Sequence, residues 1–283
     1  MAPRWRSGSW ATHLILLTGV AIFAFPVYLA VIGSTSDLGT VSRGELGLTP
    51  GPYLVRNYGQ TWSTGSGERI SGTPVRRMMT NSLIMAVTIA IGKISISLLS
   101  AFAVVFFEFP LRMFFFWMIF VTLMLPVEVR IIPTFKVISD LGLVNTFPGL
   151  TVPLIASATA TLIFRQFFLS VPDELVDAAK VDGAGPLRFF WSVLLPLSTT
   201  TVAALFVILF IYGWNQYLWP LLITTSQQMD TVVIGITKMI GTGEALVDWP
   251  IIMATAVLAM LPPILVVILM QRWFVRGLTE TEK

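Results

Sequence analysis

Of the 283 residues, 55% are hydrophobic and only 12% charged, about half the charged share of an ordinary soluble domain, so polar side chains are too few to clothe a water-soluble globule and lipid is the natural solvent. The net charge is only +3, and the scattered Lys and Arg form no basic footprint for nucleic acid. Cysteine is absent, which excludes disulfides and thiolate chemistry, and the single histidine, His13, stands at the edge of the first apolar run, where it reads as interfacial; no metal site is expected in the chain.

A helix needs about 20 mainly apolar residues to cross a bilayer, and six stretches approach that length: about 14–34, 81–107, 113–128, 149–168, 198–223 and 251–271. The fold class read from this pattern is all-α integral membrane, with the whole of 1–283 forming one transmembrane domain. The first run follows Arg4 and Arg6; it is longer than the apolar core of a signal peptide and no small-residue cleavage pattern follows it, so it reads as a retained span. Residues 37–77, rich in Gly, Ser, Thr and Pro, read as an extramembrane loop. The second run contains Lys93, and an ionisable residue inside a span is a functional candidate by default. Two readings stay open for it: contact with an anionic substrate, or snorkelling or pairing with a carboxylate of a neighbouring subunit. The third run ends at Pro126, followed by Glu128 and Arg130, which read either as the lining of an outer mouth or as a structural ion pair.

The fourth run holds Ala156-Ser157-Ala158-Thr159-Ala160-Thr161, small residues that let membrane helices approach closely, so a protein environment is expected for it. In the fifth, Tyr212, Trp214, Asn215, Gln216, Tyr217 and Trp219 gather just before Pro220. Tyr217 and Trp219 are explained by an interfacial aromatic belt; Tyr212, Asn215 and Gln216 are candidates for the translocation path, because a polar amide at depth faces a bundle or a cavity. An even number of spans puts both termini on one side, and Arg4 and Arg6 beside the first span place that side in the cytoplasm.

The polar interruption at 170–197 reads as two short helices joined at glycine. Pro172 suits the first helical position, Asp173, Glu174 and Asp177 favour the positive end of a helix dipole, Gly183 and Gly185 supply a cap and a turn, and Pro186 opens the next helix. Leu175, Ala178, Ala179 and Asp182 fall at spacings of three and four, a narrow face open to close approach by a partner. Composition alone leaves a second reading, a helix pair packed on its own bundle.

The positions Asp177-Ala178-Ala179, Gly183, Val193, Leu195 and Pro196 resemble the EAA motif of binding-protein-dependent ABC permeases in every spacing, with Asp in place of Glu at the first position. The stretches 116–131, 156–168, 211–220 and 270–278 are similar to permeases of the sn-glycerol-3-phosphate branch. The resemblance implies the type I ABC importer permease fold with six spans in the bacterial cytoplasmic membrane. It implies a coupling helix, with Glu174, Asp177, Ala178, Ala179, Asp182, Gly183 and Pro196 meeting an ATP-binding subunit. It also implies two copies of that subunit carrying ATP and Mg, a second, homologous permease and an extracytoplasmic binding protein. The implied cargo is glycerol 3-phosphate or a glycerophosphodiester such as glycerophosphocholine, with a maltose-type sugar as the alternative. The chain itself contains no phosphate-cradling G-x-x-x-x-G-K-[ST] loop, so it is expected to be no enzyme. A secondary transporter is disfavoured by the lack of a visible inverted repeat, and a lipid enzyme by the lack of a nucleophile, base or metal cluster.

Overall fold

The computed structural model describes residues 10–65, 73–124, 127–240 and 247–279; the side chains of 122–128 and 274–279 lie outside the described set. The elements in order are α1 (Trp10–Ser34), α2 (Leu38–Ser42), α3 (Leu54–Ser63), α4 (Val75–Phe106), α5 (Arg112–Met124), α6 (Val127–Asp140), α7 (Phe147–Thr151), α8 (Ala158–Leu169), α9 (Asp173–Val181), α10 (Pro186–Phe189), α11 (Leu195–Leu197), α12 (Thr199–Trp214), α13 (Leu218–Ile223), α14 (Val232–Ile240) and α15 (Trp249–Thr279). The chain divides into two compact units: Met1–Arg77 with Gly235–Leu261, and Met78–Ile234 with Pro262–Lys283.

In the first unit α1 is apolar on every side and almost wholly exposed, the pattern of a helix that meets lipid all round. Only its last turn is buried. There the orphan carbonyls at a helix C-terminus need donors, and the Asn57 amide of α3 supplies two hydrogen bonds, to the Ser34 and Ser36 carbonyl oxygens at 2.9 Å each. Asp37 caps α2, its Oδ1 accepting from the Thr40 amide at 3.1 Å. The two hydrogen bonds from Thr40 hold the Asp37 carboxyl below its ordinary value, because they favour the charged form.

The second unit is built along α4, 32 residues long. At its beginning the Asn81 amide donates to the Gln228 and Asp230 carbonyls at 2.9 and 3.0 Å, and the Ser82 hydroxyl accepts from the Val232 amide at 2.8 Å. Next along the helix, Met85 and Ile89 join Ile138, Leu150, Trp219 and Ile223 in an apolar core. Further on, Gly92 lies against Ile155 so closely that a Cβ would fall 2.7 Å from its Cγ2, and the Ser97 hydroxyl donates to the Ser157 carbonyl at 3.1 Å. At the far end Phe102 packs against Phe190, and Phe106 against Phe168 and Phe189, in tilted and edge-on pairs at ring separations of 5.0 to 5.9 Å.

Several expected spans are broken where the structure describes them. α4 begins at Val75 rather than at residue 81, because the Arg76 and Arg77 turn continues the helix beyond the apolar core. Within the third expected span, 113–128, α5 is described up to Met124 and α6 from Val127, and residues 125–126 between them lie outside the described residues. The fourth is two helices: α7 and its short continuation end at Leu154, α8 starts at Ala158 with Ser157 as its cap, and the axis bends by 50° between them. The fifth stops at Trp214 and restarts at Leu218, leaving Asn215 to Tyr217 outside either helix. Among the described residues three helices are long and apolar enough to cross a membrane, and up to five if each bent pair counts as one span.

Candidate functional site

The segment between α8 and α12 is shaped by its prolines and glycines. Pro172 is the N-cap of α9, with extended backbone, and not its first helical residue as the sequence suggests. Asp173 and Glu174 occupy the first turn and Lys180 the last, which suits the helix dipole at both ends. Asp182 is the C-cap, and Gly183 follows in the left-handed region at φ +71°. The Gly183 amide donates to the Lys180 carbonyl at 3.0 Å and the Ala184 amide to the Ala179 carbonyl at 2.8 Å, the paired bonds of a Schellman termination. Gly185 then caps α10, Pro186 is its first residue, and a π turn over Phe190–Leu194 leads into α11. Leu195 donates five residues back, to Phe190, and this wider turn makes room for Pro196, whose ring would otherwise strike the carbonyl four residues earlier.

The face expected from spacing, Leu175-Ala178-Ala179-Asp182, is divided. Ala179 is only 9% exposed and lines a cleft with Phe102, Phe106 and Phe189, so its small size serves the fit of α9 to its own chain. Ala178 lies on the opposite side, exposed together with Glu174, Asp177 and Asp182. Leu175, Val181, Leu187 and Trp191 are exposed around them, Val181 by 88%. Lys180 and Asp177 form an ion pair at 3.0 Å, with both side chains 70% exposed; a pair so open to water adds little stability. Gly183 and Pro196 act on the backbone alone, as cap and helix distorter.

A second constellation lies midway along α4. Lys93 is 7% exposed, with its Nζ 3.9 Å from the centre of the Tyr212 ring on α12, and Arg130 on α6 acts on it as a like charge. Gln216 reaches the same turn of α12, donating to the Tyr212 carbonyl at 3.2 Å. Asn215 is the C-cap of α12 and is exposed at the break before α13. The structure therefore brings Lys93 together with Tyr212 and Arg130, leaves Gln216 bonded to the backbone of its own helix, and puts Asn215 at a helix end; the Glu128 side chain lies outside the described residues. Trp219 departs from the expected aromatic belt: it is 3% exposed, and its indole donates to the Gly149 carbonyl at 3.0 Å. Among the described residues no group of three or more His, Cys, Asp or Glu could hold a metal ion.

Three contributors escaped sequence reasoning. The Phe102 and Phe106 pair, one helical turn apart, seats α9; its i,i+4 spacing was the available signal. Asn145, at φ +59°, clips the segment after α13 by accepting from the Thr225 and Ser226 amides at 2.8 Å each. Asn81 fastens the start of α4. Neither Asn stands in a local pattern that announces a partner about 80 or 150 residues away.

Residues 72–280 match the family model described as "Binding-protein-dependent transport system inner membrane component". The chain is 58% identical over 271 residues to the "sn-glycerol-3-phosphate transport system permease protein UgpE" of Brucella melitensis biotype 1, with 96% of each chain covered. Proteins of the same description from Rhizobium meliloti (strain 1021) and Yersinia pestis bv. Antiqua (strain Antiqua) are 57% and 54% identical over 271 residues, again with 96% of each chain covered. Among solved structures, a bacterial ABC transporter involved in the import of the acidic polysaccharide alginate superposes with a TM-score of 0.80 at 20% identity, over 93% of this chain and 95% of that one, a likeness of fold. With its apolar helices, its match over most of the length and its permease fold, the chain belongs to the family of binding-protein-dependent transport system inner membrane components.

Proposed function

We propose that the chain is the permease subunit of an ATP-driven importer of glycerol 3-phosphate or of glycerophosphodiesters such as glycerophosphocholine. It lies in the bacterial cytoplasmic membrane with both termini cytoplasmic. It pairs with a second permease, receives cargo from an extracytoplasmic binding protein and is driven by two ATP-binding subunits that hold the ATP and Mg. The cargo assignment rests on the names of the relatives at 54–58% identity.

The observation that carries the mechanical part is the outward face of α9, where Glu174, Asp177, Ala178 and Asp182 are exposed beside the apolar Leu175, Val181, Leu187 and Trp191. A methyl-sized residue between acidic and apolar neighbours lets the helix enter a cleft, and burial of Val181 and Trp191 there would stabilise the contact by roughly 25 cal/mol per Å² of apolar surface. Ala179 faces inward, and through it and Val176 a displacement of α9 reaches Phe106 and Phe189. Lys93, Tyr212, Asn215 and Gln216, with Glu128 and Arg130, belong to the path.

The test is Ala178→Arg in the complete transporter. A bulky cation on the outward face should reduce both co-purification of the ATP-binding subunit and glycerol 3-phosphate uptake by about tenfold or more, a loss of roughly 1.4 kcal/mol. Wild-type uptake with the ATP-binding subunit still bound would refute the docking role. Ala179→Arg is the poorer probe, since it forces a charge into the chain's own aromatic cleft.

A further inference from the structure

Among the described residues the buried charge at Lys93 has no carboxylate to answer it. Its interactions among the described residues are with the Tyr212 ring at 3.9 Å and, unfavourably, with Arg130. One turn further along α4, the Ser97 hydroxyl is engaged elsewhere, accepting from the Thr161 hydroxyl at 3.1 Å and donating to the Ser157 carbonyl. Lys93 is thus 7% exposed on an apolar helix, and among the described residues its ammonium rests against an aromatic face, a weak and exchangeable contact compared with a charge-assisted hydrogen bond. A second cation nearby makes the arrangement still less favourable unless an anion completes it, because like charges in a poorly hydrated interior are screened little.

The surroundings fix this place in the bundle. Gly92 presses α4 against Ile155, at the break between α7 and α8, and α12 ends a few residues beyond Tyr212. Irregular backbone of this kind at membrane depth is tolerated where it is enclosed by protein or lines a cavity.

We propose that Lys93, Arg130 and Tyr212 form a transient seat for the phosphate group of the cargo within the permease. This rests on the glycerophosphate reading above. Tyr212 parks the ammonium while the seat is empty. An arriving phosphate draws Lys93 off the ring into a charge-assisted hydrogen bond, and the planar Arg130 guanidinium supplies paired donors to the phosphate oxygens. Phosphate departure returns Lys93 to the ring, so binding stays weak enough for release.

The experiment uses the complete transporter with its binding protein in liposomes and measures labelled glycerol 3-phosphate carried per ATP hydrolysed. Lys93→Gln should lower that ratio by about tenfold, and Lys93→Arg, which keeps the charge, should retain about half or more of it. Should Lys93→Gln fail to insert in the membrane as a folded chain, Arg130→Gln provides the second measurement, with the same loss expected. An undiminished ratio in Lys93→Gln overturns the seat. So does an equal loss in Lys93→Gln and Lys93→Arg, which indicates packing, and so does release of the second permease from Lys93→Gln, which indicates a counter-ion on that subunit. A wild-type transporter that imports no glycerol 3-phosphate refutes the cargo reading itself; wild-type import with an unimpaired Lys93→Gln refutes the seat alone.

Discussion

Asp248 stands half-buried ahead of α15, and burial pushes its carboxyl above the ordinary value of 3.8, with a hydrogen bond from the Ile251 amide and the Arg56 charge opposing. A raised carboxyl is more easily protonated in the folded chain than in the unfolded one, so stability is full below the ordinary value and falls as the pH rises through the raised one. Asp248→Asn should therefore gain relative to wild type as pH is raised from about 4 to 6; melting curves of the two proteins that stay parallel across this range would refute the assignment. The titration is invisible in the sequence, where Asp248 is one acid among loop residues. The same holds for Trp219, which composition places at the membrane boundary and which the Gly149 carbonyl draws inward. Lys93, by contrast, was legible, because the cost of a charge in an apolar run marks it before any neighbour is known.

Among elements, α9 was the most legible. Its caps, dipole charges and glycine stop are local in sequence, and local chemistry decides helix ends. Which of its two alanines faces inward was not legible, because that depends on Phe102, Phe106 and Phe189, which reach it through tertiary packing. Gly183 carries the termination at φ +71°, a region that costs a residue with a Cβ about 1 kcal/mol or more. Gly183→Val should speed hydrogen exchange at the Gly183 and Ala184 amides by about fivefold or more, with Gly183→Asn much milder; unchanged protection in Gly183→Val would mean that the cap does not hold α9. The breaks at 155–157 and 215–217 escaped the hydropathy reading because an apolar window sums composition and does not record where the backbone leaves the helix. Pro153 and Pro220 near these breaks were the available signs.

At the scale of the molecule, the apolar content announced the membrane, while among the described residues two of the candidate spans are bent pairs of helices, Phe147–Leu154 with α8 and Pro186–Leu197 with α12. α1 is exposed along most of its length and the apolar part of α15 is largely exposed, faces that only lipid or another apolar surface makes stable. The chain in isolated membranes should therefore stay in the pellet through an alkaline carbonate wash; its release to the supernatant would overturn the integral reading. The 71° bend between the Pro186–Leu197 stretch and α12 carries one more consequence. Thrust along the first arm would resolve mainly across the second, so under the coupling role proposed for α9 this elbow would turn a push parallel to one helix into a tilt of the next, the helix that bears Tyr212.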